Sequence, residues 1–160
     1  MPVKVGDKVP SAKFKQLSPD GMKDLSTDDL FKGKKVALFA LPGAFTPTCS
    51  AKHLPGFIEK AAELKGKGID AIACVSVNDA FVMDAWGKQQ NAGDKVMMLA
   101  DGNCEFTKAM GLELDGSANG MGQRSQRYAM VVDNGVIKQL YVEQPRAFEV
   151  SSADHMLKNL

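Results

Sequence analysis

The sequence predicts an α/β fold in which a mixed central β-sheet carries helices on both faces. Two short apolar runs, Lys35 to Pro42 and Ile69 to Val77, are bounded by turn residues, which is typical of strands buried on both sides. Between the two runs, apolar residues recur at helical spacing from Leu54 to Leu64. The three segments therefore form a β-α-β unit whose crossover helix lies on one face of the sheet.

The second half of the chain predicts the antiparallel part of the same sheet. A further helix and a short strand at 95–100 precede two strands that flank the turn 133–135, where Asp-Asn-Gly tolerates the positive φ angles of a tight reversal. An amphipathic helix with Ser151 or Ser152 as N-cap follows. This order of elements is that of the thioredoxin-like fold, which we expect as one domain over residues 1–160.

Charge and composition exclude several classes of partner. The 160 residues include 20 Lys+Arg and 19 Asp+Glu, a net charge of +1, so no general attraction to nucleic acid or to an anionic membrane is expected. The N-terminus lacks an apolar core of signal-peptide length, and no segment approaches the ~20 apolar residues of a membrane span. We therefore expect a cytoplasmic protein whose partners are small molecules or other proteins.

The chain has three cysteines, Cys49, Cys74 and Cys104, and no CxxC pair. This pattern argues against a disulfide scaffold, and we expect neither a metal nor another cofactor. Cys74 lies in an apolar run and is predicted to be a buried core thiol. A third helix is predicted to begin at 101–103, and Cys104 lies in its first turn, where a thiol could be partly exposed but, without a visible partner, is more often incidental.

The stretch PGAFTPTCS, at 42–50, gives Cys49 a special position. Thr46 is predicted as the N-cap of a helix, with Pro47 at its first position and Cys49 in its first turn. The free N–H groups and the positive end of the helix dipole favour an anion there, and therefore a thiolate. Pro55 removes a backbone hydrogen bond farther along and is expected to loosen the turn that carries Cys49.

The same stretch resembles the active-site signature of the peroxiredoxins, in which a Pro, a Thr and the reactive Cys have the spacing of Pro42, Thr46 and Cys49. The resemblance extends over nearly the whole chain, through the blocks VGDKVPSAKF, ACVSVND, LADGNCEFTKAMGLELD and RSQRYAMVVDNGVIKQLYVE. These blocks are similar to the atypical two-cysteine, or type II, subgroup. The resemblance implies a thioredoxin-like thiol peroxidase that reduces hydrogen peroxide and organic hydroperoxides.

The resemblance also implies a role for each residue of the site. Cys49 attacks the peroxide and becomes a sulfenic acid, the Thr46 hydroxyl hydrogen-bonds the thiolate and the peroxide, and Pro42 shields the sulfur. Arg127, by its place in RSQRYAM, fixes both the sulfur and the peroxide. Arg124 is interpreted as ordinary surface charge.

The route by which the sulfenic acid is reduced is less defined. Some type II members carry a resolving cysteine near the C-terminus, where this chain has Ser151. The ending FEVSSADHMLK resembles members that use glutathione and glutaredoxin, which implies a single essential cysteine with glutathione as co-substrate. The alternative is a thioredoxin-regenerated peroxidase with Cys74 or Cys104 as resolving cysteine. Type II members also tend to be homodimers.

Two other functions compete with the peroxidase. A thiol–disulfide oxidoreductase of the same fold is disfavoured by the missing CxxC motif. A redox-switch or chaperone-like binding module would use Cys49 only as a sensor. Among the remaining residues, His53 and His155 are predicted to face solvent, and Trp86 to fill the core.

Overall fold

Seven of the nine strands form one mixed sheet in the computed structural model, which describes residues 2–160. The strands are β1 (Lys13–Ser18), β2 (Gly21–Ser26), β3 (Lys35–Leu41), β4 (Ala71–Ser76), β5 (Met97–Ala100), β6 (Glu113–Asp115), β7 (Gln123–Ser125), β8 (Tyr128–Asp133) and β9 (Val136–Val142). The helices are α1 (Thr27–Phe31), α2 (Leu54–Glu59), α3 (Ala61–Gly66), α4 (Ala80–Gln89), α5 (Glu105–Met110) and α6 (Ala153–Lys158). A π-helical turn, Cys49–His53, precedes α2.

The strand order in the large sheet is β2-β1-β5-β4-β3-β8-β9. Strands β3, β4 and β5 are parallel, and the pairs at both sides of this centre are antiparallel. The predicted mixed sheet and the predicted hairpin, which is β8–β9, are therefore confirmed. Cys74 lies in the middle of the central strand β4, opposite Phe39 of β3 and Met98 of β5.

Alternate residues of β3 enter two separate apolar layers, as expected for a strand with both faces covered. Ala37, Phe39 and Leu41 pack with residues of α2, α3, α4 and α6 on one face. The residues between them, from Val36 to Ala40, pack with α1 and α5 on the other face. Helices on both faces were predicted, and Cys49 belongs to the first layer.

The structure differs from the predicted elements in several places. The β1–β2 hairpin was not predicted, and the Gly-rich segment 115–125, predicted as a loop, contains strands of the small β6–β7 sheet. The helix predicted from 54 to 64 is divided at Lys60 into α2 and α3. Helix α5 begins at Glu105 because the carboxylate of Asp101 accepts hydrogen bonds from the N–H groups of residues 106 and 107.

Within residues 2–160, no helix has both the length and the apolar character that crossing a membrane requires.

Candidate active site

Cys49 lies where the chain passes from β3 into a helix. Helical structure begins at Pro47, directly after Thr46, and the Ser50 N–H donates to the Thr46 carbonyl over 2.9 Å. Cys49 is thus in the first turn, as predicted, and its side chain is fully buried. An anion at this position faces the positive end of the helix.

The turn that carries Cys49 is π-helical. The Leu54 N–H donates to the Cys49 carbonyl, five residues back, before Pro55 interrupts the hydrogen-bonding pattern. Single π-turns inside helices are uncommon and mark places where the backbone is less regular. The loosening of this turn that Pro55 led us to expect corresponds to the π-helical turn in the structure.

The loop before the helix is held by hydrogen bonds from two directions. Asn78 Oδ1 accepts from the Ala44 N–H at 3.0 Å and from the Ser76 hydroxyl at 2.6 Å. The Thr46 hydroxyl donates to the Gly43 carbonyl over 2.7 Å. Because the Thr46 O–H is used in this hydrogen bond, the hydroxyl oxygen can accept a hydrogen bond but cannot also donate one to the sulfur. The sequence interpretation had made Thr46 a donor.

Arg127 precedes β8 and extends to the sulfur, as the resemblance implied. Its Nη2 lies 3.1 Å from Cys49 Sγ, and its Nη1 lies 2.8 Å from His53 Nδ1. The Phe148 ring covers the guanidinium with its centroid 5.9 Å away. A permanently charged group is therefore aimed at the thiol from a partly buried position.

His53 is buried, so the prediction that it faces solvent is wrong. Its Nε2 lies 3.0 Å from the Ser151 carbonyl, which cannot donate, so Nε2 carries the proton and Nδ1 accepts from Arg127. Burial and the adjacent Arg127 charge lower the pKa of His53 to about 3. The imidazole is a neutral acceptor that fixes Arg127.

A carboxylate holds the segment that supports His53. Glu143 Oε2 accepts from the N–H groups of Glu149, Val150 and Ser151 and from the Ser151 hydroxyl, at 2.7–2.9 Å. Burial alone would raise the pKa of Glu143, but these hydrogen bonds together lower it. Ser151 lies at the position where some type II members have a cysteine. It is fully buried, donates to Glu143 and presents its carbonyl to His53.

Trp86 is buried, as predicted, and is also connected to the turn that carries Cys49. Its Nε1–H donates to the Ser50 hydroxyl at 3.0 Å. His155 is only half-buried and packs edge-on against Tyr141.

The other two cysteines have no charged hydrogen-bond donor on the sulfur within the described part of the chain. Cys74 is fully buried as predicted, and its pKa is raised well above the ordinary value by burial and by the nearby Cys49. Cys104 is only 4% exposed, so the partial exposure that its position allowed is not found. Burial and the neighbouring Asp101 raise the pKa of the Cys104 thiol. Both thiols stay protonated at neutral pH.

A cavity of about 490 Å³ lies beside Arg127 and Pro42. Arg124, interpreted from the sequence as surface charge, also lines it. Arg124 Nε donates to the Met121 carbonyl at 2.9 Å, and its Nη1 approaches the Pro42 carbonyl at 3.4 Å. A Cβ atom on Gly43 would lie 3.0 Å from Arg124 Nη1 and 3.3 Å from Thr46 Cγ2, so a larger residue there would require these side chains to shift. Within residues 2–160, no three His, Cys, Asp or Glu side chains could together hold a metal ion.

Comparisons with known proteins agree with this geometry. The Redoxin family model matches residues 4–157. The chain is 56% identical over 163 residues to peroxiredoxin-2E-2, chloroplastic, of Oryza sativa subsp. japonica, covering 99% of this chain and 72% of that protein. It is 51% identical to peroxiredoxin-2B of Arabidopsis thaliana, with 99% of both chains covered.

A solved structure of reduced Prx3 from Vibrio vulnificus in complex with H2O2 superimposes with a TM-score of 0.95 at 56% identity, covering 98% of each chain. Peroxiredoxin 5 from Alvinella pompejana has a TM-score of 0.87 at 38% identity, covering 98% of this chain and 97% of that one. The thioredoxin-like fold is therefore confirmed. With a match along nearly its entire length, the chain belongs to the Redoxin family and is a peroxiredoxin, a thiol peroxidase.

Proposed function

We propose that Cys49 is the residue that peroxide oxidises, and the observation that carries the proposal is the 3.1 Å contact between Arg127 Nη2 and Cys49 Sγ. A charge-assisted donor at this distance favours the thiolate, which is the nucleophilic form of cysteine. The thiolate attacks one peroxide oxygen, the O–O bond breaks, and the other oxygen leaves and takes up a proton. Cys49 becomes a sulfenic acid.

Arg127, Thr46 and Pro42 complete this proposed site. Negative charge grows on the departing oxygen, and a fixed guanidinium stabilises it without having to move or titrate. Thr46, whose proton is engaged by Gly43, accepts the hydrogen of the peroxide O–H. Pro42 lines the cavity next to Arg127 and limits the access of water to the sulfur.

His53 fixes Arg127 without cancelling its charge. A carboxylate at the same position would also accept from Nη1, but it would neutralise the guanidinium that faces the sulfur. The neutral imidazole, held by the Ser151 carbonyl, leaves the full positive charge available to Cys49.

For the second half of the reaction, we propose that glutathione attacks the Cys49 sulfenic acid and that glutaredoxin removes the adduct. The protonated, buried Cys74 and Cys104 support this route, because neither is a nucleophile in the folded chain. Thioredoxin with one of these cysteines as resolving residue is the alternative. The comparisons leave the choice of reductant open.

A homodimer also stays a proposal. Phe45, 48% exposed, lies beside the site, and Phe81, 62% exposed, lies on α4, and both could be covered by a second copy. Sedimentation velocity would test dimerisation.

The cytoplasmic location stays a prediction that the comparisons do not support, since relatives from rice and Arabidopsis are named chloroplastic.

The role of Cys49 is tested by stopped-flow oxidation of the reduced protein with hydrogen peroxide. Trp86 fluorescence should change rapidly, because oxidation of Cys49 disturbs the turn that holds the hydrogen bond from Trp86 to Ser50. Cys49→Ser should abolish the change, whereas Cys74→Ala should retain it. A wild-type reaction no faster than that of a free thiol would contradict the proposal.

Arg127→Lys should slow the oxidation step by about 100-fold. The two Nη atoms of the planar guanidinium contact Cys49 and His53 simultaneously, whereas the single ammonium group of a lysine cannot. The measurement is the second-order rate constant for hydrogen peroxide, with the thiolate absorbance recorded in parallel. A rate within about twofold of the wild type would rule out this role for Arg127 and favour the redox-switch alternative.

The buried neutral His53 makes folding stability depend on pH. The pKa of His53 is about 3 in the folded chain and about 6.5 in the unfolded chain. Between these two pH values the unfolded state binds one more proton than the folded state, so the free energy of unfolding decreases as the pH is lowered. From pH 7 to pH 5, the wild type should lose about 2 kcal/mol of unfolding free energy relative to His53→Gln. Urea unfolding measures this, and His155→Gln is the control. If the unfolding free energies of the wild type and His53→Gln changed equally between pH 7 and pH 5, the assignment of a neutral, buried His53 would be contradicted.

The single-cysteine route predicts that Cys74→Ala and Cys104→Ala, alone and combined, keep full turnover with glutathione and glutaredoxin. Both thiols are protonated and enclosed, so their removal takes no group from the reaction. Mass spectrometry of the oxidised protein should find a glutathione adduct on Cys49. Loss of turnover with an intact oxidation step would instead identify a resolving cysteine.

A further inference from the structure

The cavity beside the active site is larger than hydrogen peroxide requires. Its volume of about 490 Å³ falls in the range of sites for organic ligands, whereas hydrogen peroxide has only two heavy atoms. Pro42 and Arg127 form the wall next to Cys49, and the opposite walls come from the β6–β7 segment and from residues 144–147. The buried Cys49 does not itself line the cavity, so a bulkier hydroperoxide bound there would reach the sulfur past Arg127, whose Nη2 contacts Sγ.

The charge of the cavity is unusual within this chain. The sequence contains only three arginines, Arg124, Arg127 and Arg146, and all three line this cavity, whereas the remaining cations are lysines. Among residues 2–160, every salt bridge to a carboxylate is made by a lysine, so none of the arginines is paired. Unpaired guanidinium groups around a cavity favour a carboxylate ligand.

The two acidic residues of the cavity are already engaged. Asp115 accepts hydrogen bonds from the N–H and hydroxyl groups of Ser117. Glu143 accepts four hydrogen bonds from the segment that supports His53. Neither carboxylate forms a salt bridge with an arginine, and three guanidinium groups against two carboxylates leave the lining with one excess positive charge. Arg127 is held by Cys49 and His53, so Arg146 and the remaining N–H groups of Arg124 are the donors available to a ligand.

The rest of the lining combines apolar side chains with the amides of Asn119, Gln126 and Gln144. Leu114, 37% exposed, contributes a side chain that a ligand can cover, and Met121, Pro145 and Ala147 add further apolar surface. The cavity therefore combines an apolar wall with cationic groups, and Arg127 connects it to the Cys49 sulfur. An amphipathic anion complements such a surface better than a neutral molecule does.

We propose that this cavity binds organic hydroperoxides that carry a carboxylate, with Arg124 and Arg146 holding the carboxylate while the peroxide group lies against Arg127 and Cys49. The inference rests on the proposed role of Cys49. It assigns the cavity to the oxidation step, because the cavity is present while Cys49 is buried and held by Arg127, before any opening that a reductant would need.

The reaction itself is unchanged. The Cys49 thiolate attacks the terminal oxygen of the hydroperoxide, an S–O bond forms, and the O–O bond breaks. The sulfur is oxidised by two electrons to the sulfenic acid, and the alkoxide that leaves takes one proton from water to become the alcohol. The carboxylate takes no part in the bond changes and only positions the substrate.

The test compares cumene hydroperoxide, its para-carboxylate derivative and the methyl ester of that derivative. The three have the same reacting group, and the acid and the ester differ in charge at nearly constant size. Oxidation of Cys49 is followed by stopped flow without any reductant. The carboxylate should react roughly fivefold faster than the ester, and added salt should reduce this ratio.

Arg146→Gln and Arg124→Gln should each lower the carboxylate-to-ester rate ratio about threefold, and Arg146→Lys should restore part of it. Lys138→Gln, which removes an exposed charge outside the cavity, should leave the ratio at the wild-type value. A ratio is insensitive to partial misfolding, because misfolding slows both substrates equally.

Three outcomes would overturn the inference. Equal rates for the carboxylate and the ester in the wild type would exclude recognition of the charge. A ratio that survives in both arginine variants would place recognition elsewhere. In a separate turnover assay with glutathione, an effect of the variants confined to the reduction step would assign the cavity to the reductant. Failure of the Cys49 proposal is distinguishable, because Cys49→Ser would then still react with every hydroperoxide.

Discussion

The contact between the Arg127 guanidinium and the Cys49 sulfur is the interaction on which the other features of the site depend. A guanidinium in a partly buried position needs hydrogen-bond acceptors that do not cancel its charge. Neutral His53 is such an acceptor, and its proton is fixed by the Ser151 carbonyl. Glu143 in turn fixes the Ser151 segment, so a chain of buried hydrogen bonds from the end of β9 determines the direction of the positive charge.

The backbone around Cys49 combines a rigid side and a loose side. Before the cysteine, Asn78 and Gly43 hold the loop that follows β3. After it, the π-turn and Pro55 leave the helix with weaker internal hydrogen bonding. The rigid side fixes the position of the sulfur. In the proposed reaction, the loose side would let an oxidised Cys49 side chain leave its buried position at a lower cost than from a regular helix.

Buried strands and the thiol motif could be predicted from the sequence, whereas the support of the site could not. Strand β3 is apolar on both faces, so its pattern is visible, but in β1 only Phe14 is fully buried and the alternation is weak. The burial of His53 depends on Ser151, 98 residues away in the chain, and no local pattern reports such a contact. The position of Arg124 beside Pro42, 82 residues away, was likewise not visible in the sequence, which indicated only a surface charge.

The three cysteines have different surroundings, although all three are buried. Cys49 and Cys74 belong to the same apolar layer, yet only Cys49 has a charged donor on its sulfur. Cys74 lies within a strand that is hydrogen-bonded on both sides, so its backbone cannot approach another thiol without breaking the centre of the sheet. Cys104 lies beside Asp101, whose negative charge opposes ionisation of the thiol. One positive charge, placed by contacts distant in sequence, therefore distinguishes the thiol proposed to react from the other two.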